Sequence, residues 1–135
     1  MKFFLIDSLI NPEFWYSKLE NEQAGGLVVF EGRVRKNNHG KKVVGLNYQS
    51  HPTLARQEGE RILTEFLSHS KVIDAIAVHR TGSLKLGEIA VWVGVLSIHR
   101  KEAFDVCEHI INRIKKEVPI WKKEQYEDTS AKWLV

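Results

Sequence analysis

Two lysines, Lys115 and Lys122, share one setting: Lys-Lys-Glu, then the insert Val-Pro-Ile-Trp, then Lys-Lys-Glu again. On an unbroken helix, residues seven apart stand about 10 Å apart along one face. Pro119 changes that geometry, because proline disfavours helical backbone at Val118 and has no N–H to donate, so a helix must stop near Lys116. A chain that turns there lets two long side chains converge on one anion from different backbone elements. The chemistry open to such a pair is phosphate binding or, for a partly buried lysine with a lowered pKa, general acid or base work. Pro119, Ile120 and Trp121 are expected to pack inward as an apolar anchor that holds Lys122 in place. A lysine in the last helical turn also favours the helix dipole by about 0.3 to 1 kcal/mol without any further role. Lys116 and Lys123, each beside a glutamate, fit solvated surface.

Other cations add to the pair. In LVVFEGRVR, Arg33 and Arg35 flank Val34 and alternate onto one strand face, an arrangement of like charges that calls for an anion or an acid. A phosphate clamp answers that need, and so does an exposed strand end beside a basic turn. His99 and Arg100 fall where a strand hands over to a helix, a natural place for anion-binding donors or for a simple cap. Cys107 sits within an apolar helical stripe, where cysteine acts as a small hydrophobe rather than a nucleophile. His79 and Arg80, before Thr81-Gly82, read as the close of a strand and the brace of a turn. The other histidines show no metal-ligand spacing, so no metal site is expected.

The elements that must position these residues follow from periodicity and punctuation. Phe3 to Ile6 reads as a short strand. Asn11 and Pro12 read as the cap and first turn of a helix carrying Phe14, Trp15 and Leu19. Leu27 to Arg35 and Val43 to Tyr48 read as the arms of a β-hairpin with a basic tip, KNNHGKK. Pro52 opens a helix through Leu67 that Gly59 weakens. Val72 to Val78 and Ile89 to Ile98 read as strands, and IAVWVGVL, apolar on both faces, belongs at the centre of a sheet or against another subunit. Ser97 is placed to cap the last helix, whose stripe is Ala103, Phe104, Cys107, Ile110, Ile111 and Ile114. The class is α+β, a mixed and mainly antiparallel sheet with three helices.

Composition bounds the function. A chain of 135 residues with 43% hydrophobic content fits one domain, residues 1–135, that buries roughly two thirds of its unfolded surface. The 20 basic and 17 acidic residues, net charge +3, suit an anionic small molecule or acidic partner better than coating of a polyanion. The absence of a membrane-length apolar run or a secretory start points to a soluble cytoplasmic protein. One cysteine excludes an intrachain disulfide.

Taken in order, GGLVVFEGRVR, HGKKVVGLNYQ, HRTGSLKLGEIAVWVGVLSIHRKEAF and IKKEVPIWKKE, with Trp133 beyond them, resemble the large, catalytic subunit of molybdopterin synthase from about Gly25 to Trp133. The resemblance implies a single hammerhead-like α+β domain. It implies an enzyme that moves two sulfurs onto cyclic pyranopterin monophosphate, forming the dithiolene of molybdopterin. A small ubiquitin-like partner supplies the sulfur as a C-terminal Gly-Gly thiocarboxylate, and the assembly is a heterotetramer around a dimer of large subunits. The enzyme then needs no cofactor and no cysteine of its own. Position by position, Lys115 and Lys122 match the catalytic lysines, and Arg33, Val34, Arg35, His99 and Arg100 match substrate-binding positions, with Lys123 and Glu124 bordering the site. The family's counterpart of Arg35 is expected to enter the pocket across the dimer interface. Gln49-Ser50-His51, Thr129 and a short tail depart from the family pattern.

Two other functions fit less well. A small RNA- or phosphate-binding module would show a larger charge excess or aromatic and basic residues interleaved on a strand. A non-catalytic assembly subunit would use the doubly apolar strand to dimerise and the cations to dock an acidic tail.

Overall fold

In a computed structural model the chain runs β1 (Phe3–Ile6), α1 (Pro12–Tyr16), β2 (Gly26–Arg33), β3 (Asn37–Asn38), β4 (Lys41–Ser50), α2 (Pro52–Leu67), β5 (Val72–Arg80), β6 (Gly82–Lys85), β7 (Ile89–Ser97), α3 (Arg100–Glu117), β8 (Ile120–Tyr126) and β9 (Ala131–Leu134). The structure describes residues 1–38, 40–127 and 131–134, with Asn38 and the last four described by backbone alone. Thr129 lies outside the described residues.

The α+β class holds, and the strands divide into two sheets. The first has the order β1-β5-β7-β2, with β1 parallel to β5 and the remaining neighbours antiparallel. The doubly apolar strand β7 is central there, as its composition requires. Alternation along the strands sends Ala75, Ala77, Val91, Val93 and Val95 to one face, against Ile62, Leu63, Cys107, Ile110 and Ile114 of α2 and α3. Ile76, Val78, Trp92 and Leu96 go to the other, under Trp15 and Leu19. The second sheet has the order β3-β4-β8-β9, with β6 also on β4. Val34, Leu46, Leu84 and Ala90 form the small apolar seam between the sheets.

The expected hairpin of β2 with β4 does not form. β2 pairs along its length with β7, Val29 opposite Gly94, whereas β4 pairs with β6 and β8. Among the described residues, the pairing that most resembles a hairpin there is the two-residue β3 on the start of β4, Asn37 opposite Lys42. The physical reason is burial: the apolar residues of β2 gain more from a central partner than from a polar strand across a basic turn.

Helix ends follow side-chain chemistry. Asn11 Oδ1 accepts from the Glu13 N–H at 3.1 Å and opens α1. His51 Nδ1 accepts from the Leu54 N–H at 3.2 Å, so the Gln49-Ser50-His51 departure ends one strand and caps α2. Gly59 of α2 is where Phe3 presses in; a Cβ there would lie 2.3 Å from the Phe3 ring. At α3 the cap position is His99, without a side-chain cap bond, and Ser97 instead donates its hydroxyl to the His99 carbonyl. The stripe of α3 also differs by one member: Phe104 is 61% exposed and Val106 is buried in its place.

Candidate active site

The C-terminal turn of α3, the strand β8 and the seam between the sheets enclose a cavity of about 450 Å³. Lys115 enters it from the last turn of α3, which ends as Val118 takes extended backbone, ψ 127°. Lys122 enters from β8, so the chain reversal at Pro119 does bring the two lysines to one concavity. That the segment after Pro119 is a strand goes beyond the anchor expected of it. Ile120, Lys122, Glu124 and Tyr126 point inward while Trp121, Lys123 and Gln125 point out, the ordinary period of two. Trp121 is therefore 41% exposed and does not plug the core. Ile120 lines the cavity instead.

Cross-strand register builds the wall. β4 lies antiparallel to β8 with Tyr48 opposite Lys122 and Leu46 opposite Glu124, so these four share a face. A register shift between Val43 and Gly45 lets Val43 join them at the cavity. Glu124 is buried, its carboxylate 3.4 Å from Lys122 Nζ, with side chains 4% and 37% exposed respectively. Burial, reinforced by the Glu124 charge, raises the Tyr48 pKa.

The end of β2 supplies the arginines. A bulge at Gly32/Arg33 interrupts the ladder, Val34 is buried with its N–H donating to the Glu88 carbonyl at 3.0 Å, and Arg33, Val34 and Arg35 all line the cavity. The like charges are partly relieved, since Arg33 Nη2 lies 2.7 Å from Glu31 Oε1. Arg35 lines the cavity of its own chain together with Lys115 and Lys122.

Not every expected residue gathers here. His99 and Arg100 are exposed at the opposite end of α3, about 22 Å along the helix axis from Lys115 at 1.5 Å per residue. Lys123 faces the far side of β8, where it lines a separate depression with Asn47 and Ser83. Cys107 is buried, its thiol pushed up to about 11 by burial, and Sγ lies 3.7 Å from the Val93 carbonyl; it is no nucleophile. Among the described residues no group of His, Cys, Asp and Glu is arranged to hold a metal. No helix there is long and apolar enough to cross a membrane.

The model for the MoaE protein family matches residues 6–117. The chain belongs to the MoaE family. It is similar to the molybdopterin synthase catalytic subunit of Pyrococcus abyssi, 42% identical over 92% of this chain and 83% of that one. The Bacillus subtilis protein of the same description is 38% identical over 98% of this chain and 84% of that one. The crystal structure of molybdopterin synthase from Staphylococcus aureus shares the fold with a TM-score of 0.90 at 36% identity, covering 97% of this chain and 95% of that one.

Two residues of this MoaE cavity escape sequence reasoning. His79, one residue before the end of β5 and on its helix-facing side, is 7% exposed and lines the cavity beside Lys115. Burial holds its pKa down to about 4, Lys115 pushes in the same direction, and the bond to the Arg80 carbonyl opposes them. Tyr48 meets its ring edge-on, centroids 4.9 Å apart at 84°. Arg80 does brace the turn, with Nη1 3.0 Å from Glu88 and Nη2 donating to the Ser83 carbonyl at 3.1 Å. The signal that could have found them is a polar residue on an inward strand position, which the alternation of IAVHR and VVGLNYQ contains.

Proposed function

We propose that this chain is the catalytic subunit of a molybdopterin synthase, carrying two sulfurs from the C-terminal thiocarboxylate of a small ubiquitin-like partner to cyclic pyranopterin monophosphate. The observation that carries the reading is the single cavity shared by Lys115, Lys122, Arg33 and Arg35. Its cations suit a substrate phosphate and a thiocarboxylate, both anionic, and its volume suits a small heterocycle. The relatives' description as catalytic subunits supports a further subunit. The buried state of Cys107 supports a sulfur that arrives from outside the chain.

In this reading Arg33, Val34 and Arg35 position the pterin phosphate from the end of β2. Lys115, exposed at the end of α3, stands beside the incoming thiocarboxylate and stabilises its charge as sulfur adds. Lys122, held by Glu124, assists proton transfer or phosphate departure, and Lys123 and Glu124 border the site. His99 and Arg100, remote in their own chain, complete a neighbouring cavity in a dimer of large subunits. Reconstitution with the pterin precursor and the thiocarboxylated partner tests the reading directly. Wild-type chain yields the dithiolene product, and Lys115→Ala keeps the fold and partner binding while product formation is lost. Normal turnover by the variant removes Lys115 from the chemistry; steep salt-sensitive binding of unrelated RNA with no product would replace the whole reading with a nucleic-acid module.

A further inference from the structure

Each cation of the cavity needs something to aim it. Arg33 has Glu31 and Lys122 has Glu124, whereas among the described residues Lys115 has no carboxylate partner. Four rotatable bonds leave such an amine free to sample many positions. A carboxylate partner would orient it but would also cancel the charge an anionic substrate needs. A neutral acceptor orients the amine and leaves the charge intact.

His79 has the features of that acceptor. Its Nδ1 lies 2.8 Å from the Arg80 carbonyl oxygen, which can only accept, so Nδ1 carries the proton. The neutral ring then keeps its lone pair on Nε2, the one polar atom it has left for the cavity that it lines. The edge contact with Tyr48 fixes the ring plane. Burial keeps the ring uncharged at neutral pH, so it neither repels Lys115 nor turns into a donor.

We propose that His79 is a positioning residue for Lys115: its ring, locked as the Nδ1–H tautomer, offers Nε2 as the hydrogen-bond acceptor that aims the lysine amine at bound substrate. The proposal rests on the functional reading above for its consequence in turnover, but its geometry stands without it. Tyr48 and the Arg80 carbonyl are the supports of that ring rather than participants.

The test uses the full chain with its partner and precursor. His79→Phe keeps a flat ring and removes the acceptor; kcat is expected to fall about 10- to 100-fold, the loss that follows from a misplaced reacting group, with KM for the precursor little changed. His79→Gln retains an acceptor and recovers most of the rate. Unchanged kcat in His79→Phe overturns the proposal, as does an equal loss in both variants accompanied by an equal loss of thermal stability, which would mark a purely structural role. A second measurement needs no activity. In the wild-type chain, nitrogen NMR of the imidazole should show a protonated Nδ1 and a bare Nε2, and the Lys115 amine signal should sharpen or shift relative to His79→Gln and His79→Phe. A bare Nδ1, or a Lys115 signal indifferent to residue 79, overturns the proposal even if Phe at 79 unfolds the chain. Absence of product from the wild-type complex would instead defeat the functional reading and leave the NMR result to decide this one.

Discussion

Acid should weaken this fold through His79 before it reaches the carboxylates. The ring titrates near 6.5 when unfolded and near 4 when folded, because the buried site disfavours its charged form. Between those values the unfolded chain binds the extra proton and the folded chain does not, so stability falls as pH falls. Two and a half decades of proton affinity correspond to about 3 kcal/mol, of which about 2 kcal/mol is lost by pH 5 and nearly all by pH 4. Below pH 4 both states are protonated and the contribution levels off. The charged groups that share the cavity with His79 are Lys115 of α3, Lys122 and Glu124 of β8, and Arg33 and Arg35 at and beyond the end of β2, with the titratable Tyr48 of β4 beside them. With four cations among them, an imidazolium would meet net repulsion. Elsewhere, Glu117 is held down to about 2, chiefly by its hydrogen bonds from Arg113, and weakens the fold in the same direction but only below about 4.5. The two windows separate on the pH axis. Urea unfolding of wild type and His79→Gln in steps from pH 7 to 4, at one protein concentration, isolates the histidine as the pH-dependent part of their difference. Parallel stability curves down to pH 4.5 would refute the argument, whatever constant offset the substitution introduces.

Two further outcomes follow from packing. Gly59→Ala would gain up to about 1 kcal/mol of helix propensity, yet its Cβ would press on a Phe3 ring that is 1% exposed and has nowhere to go, so net destabilisation of about 1 to 3 kcal/mol is expected in urea unfolding. A more stable variant would show that β1 does not pack on α2 as described. Cys107→Ala should leave dithiolene formation unchanged in a reconstituted assay, since the thiol is buried against the Val93 carbonyl; loss of product from a folded variant would return the thiol to the sulfur path.

Local chemistry makes several elements legible in the residues themselves. Asn11-Pro12 and Pro52 announce helix starts because capping and fixed φ act within one turn, and Pro119 announces the end of α3 for the same reason. The unbroken apolar run of β7 fits the centre of a sheet or a subunit contact, and β7 lies between β5 and β2. The Lys115 and Lys122 pair is visible as two cations across a chain reversal, and the resemblance supplies the rest of the candidate set. What misleads is partnership at a distance. A hairpin of β2 with β4 rests on adjacency in the chain, but β2 finds β7 some sixty residues away. Trp121 is expected inside because it is large and apolar, whereas the alternation of β8 assigns that side to Lys122 and Glu124.

By itself the sequence marked where α1 and α2 begin and where α3 ends, which strand must be buried on both faces, and which cations are candidates for an anion, since each of these depends on residues within a few positions of one another. Only tertiary structure decided that Lys115, Lys122, Arg33 and Arg35 share a cavity, that His99 and Arg100 stand at the other end of α3, about 22 Å along its axis from Lys115, and that His79 and Tyr48 belong to the cavity wall. Sheet register and strand order are set by the burial of many side chains at once, and no short stretch of sequence carries that sum.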